Sequence, residues 1–169
     1  MACRKTLADL GVDYLDLYFI HFPIALKFVP IEDKYPPEWI NYDPAVTGGT
    51  PKMILDYGVT YQQTYHAMEE LVRKGLVRNI GISNVNTTMI RQCLSYAQIK
   101  PASLQVEMHP YFSQEVLLRM ARENGLQVMA FSNFGPISYV ELDLATNEET
   151  LLVKQTVTDI AAAHNKTPA

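Results

Sequence analysis

The sequence is poor in cysteine, in basic charge and in long apolar runs, and each shortage excludes something. Cys3 and Cys93 are the two cysteines among 169 residues and form no CxxC pair, so neither a disulfide framework nor a zinc site is predicted. Lys and Arg number 14 against 18 Asp and Glu, a net charge of −4. With no basic stripe, this argues against a general nucleic-acid binder. No stretch approaches the length of a membrane span. Asp9 and Asp13 interrupt the apolar run that a signal peptide would need. A soluble chain of a reducing compartment, most simply the cytoplasm, is the expectation. Neither a GxGxxG segment nor a Walker A motif occurs, so any nucleotide is held without a Rossmann fingerprint. No set of His, Cys, Asp and Glu has metal-ligand spacing, and no metal is expected.

The composition itself is ordinary, 48% apolar and 19% charged, and the length suits one domain, residues 1–169. Four apolar, β-rich runs stand out: Tyr14 to Phe22, Val77 to Ser83, Ala102 to His109 and Gln127 to Phe134. A helical pattern follows each. In residues 60–74, Tyr61, Tyr65, Met68 and Val72 share one face, Thr60 and Gln63 have capping-box spacing, and Gly75 terminates the helix. Next, Ile90, Cys93, Leu94 and Ala97 share a face. A third helix spans about Gln114 to Asn124, with Ser113 as N-cap and Gly125 as stop, and a fourth runs from about Val157 to His164. Strand and helix alternate, which predicts a parallel sheet with crossover helices, as in (β/α) barrels and doubly wound sheets. Residues 24–59, rich in Pro and Gly, form a long loop after the first strand, and loops of that length are often functional. A second irregular stretch covers about 135–155.

Residues 2–10 carry Leu7 and Leu10 at helical spacing and stop at Gly11, with no helix start before them. Thr167 and Pro168 make an N-cap and first-turn pair followed only by Ala169. A four-stranded parallel piece would also leave two open sheet edges. These features together predict part of a larger α/β protein; a small α/β domain with frayed ends is the alternative.

Reactive groups in parallel α/β folds gather at the carboxyl ends of strands. His21 ends the first run, Ser83 and Asn84 the second, Glu107 and His109 the third, and Phe131 to Gly135 the fourth. A neutral imidazole at His21 can donate a hydrogen bond to a substrate oxygen or act as acid or base, or it can be a hydrogen-bonded structural histidine. His109 reads as structural, and His66 and His164 as surface residues of helices. Asn84 and Gln105 are amides suited to recognising another amide, or to capping local backbone. Phe131 offers a flat face for stacking a ring, or for ordinary core packing.

Taken in order, these segments resemble the aldo-keto reductase family. The matching stretches are Leu10 to Pro23 (LGVDYLDLYFIHFP), Gly81 to Asn84 (GISN), Leu104 to Glu107 (LQVE) and His109 to Tyr111. The loop Phe28 to Pro37 and the segment Ser132 to Pro136 resemble the xylose (aldose) reductase branch. Tyr65 to Glu69 and Ile99 to Pro101 also resemble sugar-phosphate reductases, so the sugar stays open.

The resemblance implies a partial (β/α)8 TIM barrel, about strands 4 to 7, and hydride transfer from NADP(H) or NAD(H) to an aldehyde or sugar carbonyl. By the same resemblance, His21 polarises the carbonyl and Phe22 lines the substrate pocket. Ser83, Asn84 and Gln105 hold the nicotinamide carboxamide. Phe131 stands where the family has a tyrosine stacked on the nicotinamide. Ser132, Phe134 and Gly135 lie along the pyrophosphate, and Glu141 near the adenosine ribose. The family's acid/base tyrosine, with its lysine and aspartate, has no counterpart in these 169 residues; Tyr14 and Tyr18 stand in the wrong motif. The chain alone is therefore expected to be inactive. The alternative is a non-catalytic truncated barrel, a binding half-domain that self-associates through open sheet edges.

Overall fold

The computed structural model describes residues 1–34, 39–140 and 142–169. Pro36 and Pro37 of the predicted loop, and Glu141, lie outside the described residues. The chain forms two compact units, Met1–Leu104 and Gln105–Ala169.

The first unit begins with α1 (Ala2–Leu10) and β1 (Leu15–Ile20). The stretch between residues 24 and 59 is not structureless. It holds a short helix, α2 (Pro44–Thr47), capped by the Asp43 side chain, and it folds on itself through antiparallel bridges at Leu26–Leu55 and Asn41–Lys52. Then come α3 (Tyr61–Arg73), β2 (Val77–Ser83) and α4 (Thr87–Tyr96). β1 and β2 pair in parallel, from Leu15 opposite Val77 to Ile20 opposite Ile82. α3 packs on β2 and beside α4.

The expected apolar faces are the buried ones. Tyr65 and Met68 of α3 and Ile90 and Cys93 of α4 are buried. At the other end of the strands, Cys3, Leu7 and Val77 form a cluster with Leu15, Tyr18, Leu71, Val72 and Leu76. Burying each large aliphatic side chain of this kind contributes about 1.5–3 kcal/mol.

Helix ends follow local chemistry. Thr60 and Gln63 form a reciprocal capping box on α3. The same helix stops where the Gly75 N–H reaches Val72 O and the Leu76 N–H reaches Leu71 O. Gly75 sits there at φ 69°, a left-handed conformation that any side chain would oppose. α1 closes in the same way at Gly11.

β3 (Ser103–Glu107) straddles the two units, and β4 (Gln127–Phe131) lies in the second. The strand order is β1-β2-β3-β4, with a helix between each strand and the next, the pattern of a parallel α/β sheet. The second unit also contains α5 (Glu115–Glu123), α6 (Ile137–Val140), two 3-10 turns and α7 (Gln155–Ala163).

One cap differs from expectation. Gln114, not Ser113, is the N-cap residue of α5. The turn in which the His109 and Phe112 N–H groups bond each other's carbonyls brings the chain in at an angle that Gln114 absorbs at φ 55°. Its side chain turns away from the helix end and donates to Glu107 O at 3.1 Å. The fourth strand is also shorter than its apolar run: Ser132 turns left-handed at φ 51° and ends it after Phe131.

Candidate active site

The first unit carries His21, Phe22, Ser83 and Asn84 among the candidate residues. β1 stops at Ile20, and His21 follows it, exposed to solvent. β2 stops at the fully buried Ser83. Asn84 comes next at φ 56°, a backbone region that asparagine enters more readily than other residues with side chains. Asn84 Nδ2 donates to the His21 carbonyl at 2.8 Å and lies 3.3 Å from Ser83 Oγ. The Asn84 nitrogen is thus occupied and its Oδ1 remains an acceptor. Ser83 accepts from Asn84 and keeps its own hydroxyl proton as a donor. One donor beside one acceptor is the complement of a primary carboxamide.

Phe22 stands edge-on to His21, with ring centroids 4.7 Å apart. Phe22 also makes a T-shaped contact with Trp39, with ring centroids 4.5 Å apart. Sequence reasoning singled out Phe22 and missed Trp39. Its signal was the composition of the loop, where the chain's single tryptophan falls among prolines.

The second unit holds the remaining candidates. Gln105 lies on β3 and donates through Nε2 to Met129 Sδ at 2.9 Å, which leaves its oxygen as an acceptor. Phe131 ends β4, and its carbonyl accepts from Met108 N at 3.1 Å. Ser132 to Gly135 form a turn closed by Gly135 N–H to Ser132 O at 2.9 Å. Phe134 is half exposed, and its carbonyl accepts from Leu151 N at 3.0 Å. Two residues that directly follow strands, Asn84 and Ser132, are left-handed without being glycine. Such positions cluster at functional sites. His109 has structural surroundings: its side chain is 10% exposed and its Nε2 is 3.2 Å from Glu107 Oε1.

Between α3 and α4 sits a buried polar cluster that periodicity did not reveal. The Glu69 side chain is fully buried. Its Oε1 accepts from Gln98 N at 2.7 Å and Ile99 N at 2.8 Å, and its Oε2 lies 2.9 Å from His66 Nδ1. Burial alone would raise the pKa of this carboxyl. The N–H of Ile99, the His66 ring and the N–H of Gln98 outweigh it and hold the group below its ordinary value. Tyr65 donates to Ile99 O at 2.7 Å, and burial pushes its phenol well above the usual range. Burial likewise pushes the Cys93 thiol up to about 11, so this cysteine is not a thiolate at neutral pH. The readable signal was a carboxylate at i+4 from Tyr65 on an apolar stripe. His66 is part-exposed, as expected of a helix-surface residue, but it is tied into this cluster. His164 is exposed at the end of α7.

Neither tyrosine near β1 is placed as an acid/base group. The Tyr14 ring lies 3.8 Å from the Arg78 guanidinium, and Tyr18 packs against the cluster around Cys3, Leu7 and Val77. Among the described residues, no helix is long and apolar enough to cross a membrane.

Strands joined by helices, with polar groups at the strand ends and no phosphate-binding glycine motif, are the pattern of part of a (β/α) barrel. The aldo/keto reductase family model matches residues 1–169. The chain belongs to the aldo/keto reductase family. It is 46% identical over 168 residues to a probable NAD(P)H-dependent D-xylose reductase of Emericella nidulans, covering 98% of this chain and 50% of that protein. Among solved structures, the aldose reductase of Schistosoma japonicum superposes with a TM-score of 0.73 at 36% identity, covering 99% of this chain and 46% of that one. The Bombyx mori aldo-keto reductase, solved in complex with NADP, gives a TM-score of 0.72 at 29% identity, with 99% and 46% covered. The chain spans about half the length of the curated relatives it matches.

Proposed function

We propose that this chain carries one half of the active site of a cytoplasmic NAD(P)H-dependent reductase that converts an aldehyde or aldose to the alcohol. The observation that carries this reading is the junction of His21, Ser83 and Asn84, where a donor–acceptor pair complementary to a carboxamide is bonded to the backbone carbonyl of the strand-end histidine. Similarity to proteins named as NAD(P)H-dependent xylose reductases supports it.

In this reading His21 donates a hydrogen bond to the substrate carbonyl oxygen and polarises it. Phe22 forms an apolar wall beside it. Ser83 donates to the carboxamide oxygen of the cofactor and Asn84 Oδ1 accepts from its NH2. In the second unit, the family resemblance assigns Gln105 to the nicotinamide carboxamide and Phe131 to the face of the nicotinamide. Phe131 keeps the stacking surface and lacks a phenol hydroxyl. Ser132, Phe134 and Gly135 are assigned to the pyrophosphate and Glu141 to the adenosine ribose. The bound nicotinamide would supply the hydride to the carbonyl carbon.

The test is a titration of the isotope-labelled chain with nicotinamide mononucleotide and, separately, with adenosine 2′,5′-bisphosphate, followed by nuclear magnetic resonance. Saturable shifts at Ser83 and Asn84 with the mononucleotide are expected. A mononucleotide that moves neither residue overturns the assignment.

A further inference from the structure

The parallel ladder between β1 and β2 ends at the Ile20–Ile82 pair. One residue further, a side chain takes over: Asn84 Nδ2 donates to the His21 carbonyl at 2.8 Å. A backbone carbonyl can only accept. The amide must therefore turn its nitrogen toward β1, because a flipped amide would set two oxygens against each other. Asn84 reaches that point because its own backbone is left-handed, φ 56°. Its second amide proton is directed to Ser83 Oγ, 3.3 Å away, and the Ser83 side chain is fully buried.

We infer that Asn84 is a positioning residue for His21. It extends the β1–β2 ladder by one rung through a side chain and so fixes the Cα from which the imidazole is aimed. This rests on the reading of His21 as the group that orients the carbonyl. Hydrogen-bond donation is directional, and a donor at the end of a strand is useful only if that end does not fray. His21 is solvent-exposed and its ring meets Phe22, so the clamp on its carbonyl adds a backbone restraint that burial does not supply. The clamp uses only Nδ2, and Oδ1 stays available for the contact proposed above.

The test is nuclear magnetic resonance on the 169-residue chain without ligand. The Asn84 side-chain NH2 is expected to exchange with solvent roughly tenfold more slowly than a solvated asparagine amide, the factor that one hydrogen bond supplies. Asn84→Asp removes both donors, keeps an oxygen at Oδ1 and tolerates the left-handed backbone. It should shift the His21 carbonyl carbon and imidazole Cε1 resonances and raise the mobility of His21, with Leu17 and Phe19 unchanged. An Asn84 amide that exchanges at the solvated rate overturns the inference. So do His21 resonances that stay in place in folded Asn84→Asp protein. The amide measurement needs no variant and therefore decides the matter even where the substitution unfolds the chain. Failure of the carbonyl-reductase reading shows separately, in the mononucleotide titration of the wild type.

Discussion

At the scale of single residues, the sharpest constraints are a glycine and a carboxylate. Gly81 pairs with Phe19 across the β1–β2 ladder, and a Cβ at Gly81 would run into the Phe19 ring. The two positions work as one unit, with the aromatic ring lying over the strand where no side chain stands. Gly81→Ala is expected to cost about 1–3 kcal/mol through this overlap, read from urea unfolding. Adding Phe19→Leu to it should cost less than the two single changes summed; strict additivity would show that the ring is not the obstacle. Glu69 makes a different kind of demand. Glu69→Ala takes the acceptor from the N–H groups of Gln98 and Ile99, at about 1 kcal/mol for each part-buried bond lost. The lowered pKa adds a pH dependence. The folded carboxyl binds fewer protons than the unfolded one just below its ordinary 4.5. Its stabilisation is therefore complete above pH 4.5 and is lost as pH falls through the lower folded value. Glu69→Gln should flatten that acid limb relative to wild type in urea titrations between neutral and acid pH; an unchanged acid limb would remove Glu69 from the account.

At the scale of elements, the start of α3 and its end were both legible. Thr60 Oγ1 accepts from Gln63 N at 3.2 Å and Gln63 Oε1 accepts from Thr60 N at 2.8 Å, as the spacing in the sequence demanded. Thr60→Ala should lower stability by about 1 kcal/mol and Thr60→Ser by much less. Gly75→Ala should cost about 1–2 kcal/mol for a side chain at φ 69°. Equal unfolding midpoints for Thr60→Ala and wild type would mean that the capping box contributes nothing. The start of α5 shows where such local rules stop. Ser113 has the better capping chemistry, but a turn between His109 and Phe112 decides how the chain enters the helix. Those contacts depend on where β3 ends, and a cap rule applied to a few residues does not see them.

At the scale of the whole molecule, the consequence concerns catalysis. In the proposed reading the named groups would supply a carbonyl-orienting imidazole and cofactor contacts, while Tyr14 and Tyr18, packed against Arg78 and the cluster around Val77, are not placed as the family's acid/base group. A polypeptide of these 169 residues is expected to show no NADPH oxidation with aldehydes or xylose above background, since loss of an acid/base catalyst alone removes about 10²–10⁴ in rate. Spectrophotometry at 340 nm would check this in an aldehyde series. Turnover at ordinary enzyme rates would show that another group delivers the proton.

The order of strands and helices, the apolar faces of α3 and α4, and the family were determined by the sequence alone. They depend on spacing, and spacing is local: a period of 3.6 or a run of β-branched residues is visible within ten positions. The strand ends that carry His21, Ser83, Asn84 and Phe131, and the strand that holds Gln105, were legible for the same reason. What those groups touch was decided by the tertiary structure. Asn84 meets His21 across 63 positions, Glu69 reaches Gln98 and Ile99 across 29 and 30, and Gln105 finds Met129 across 24. A hydrogen bond needs its partner within about 3 Å, and only the folded backbone brings such distant residues that close.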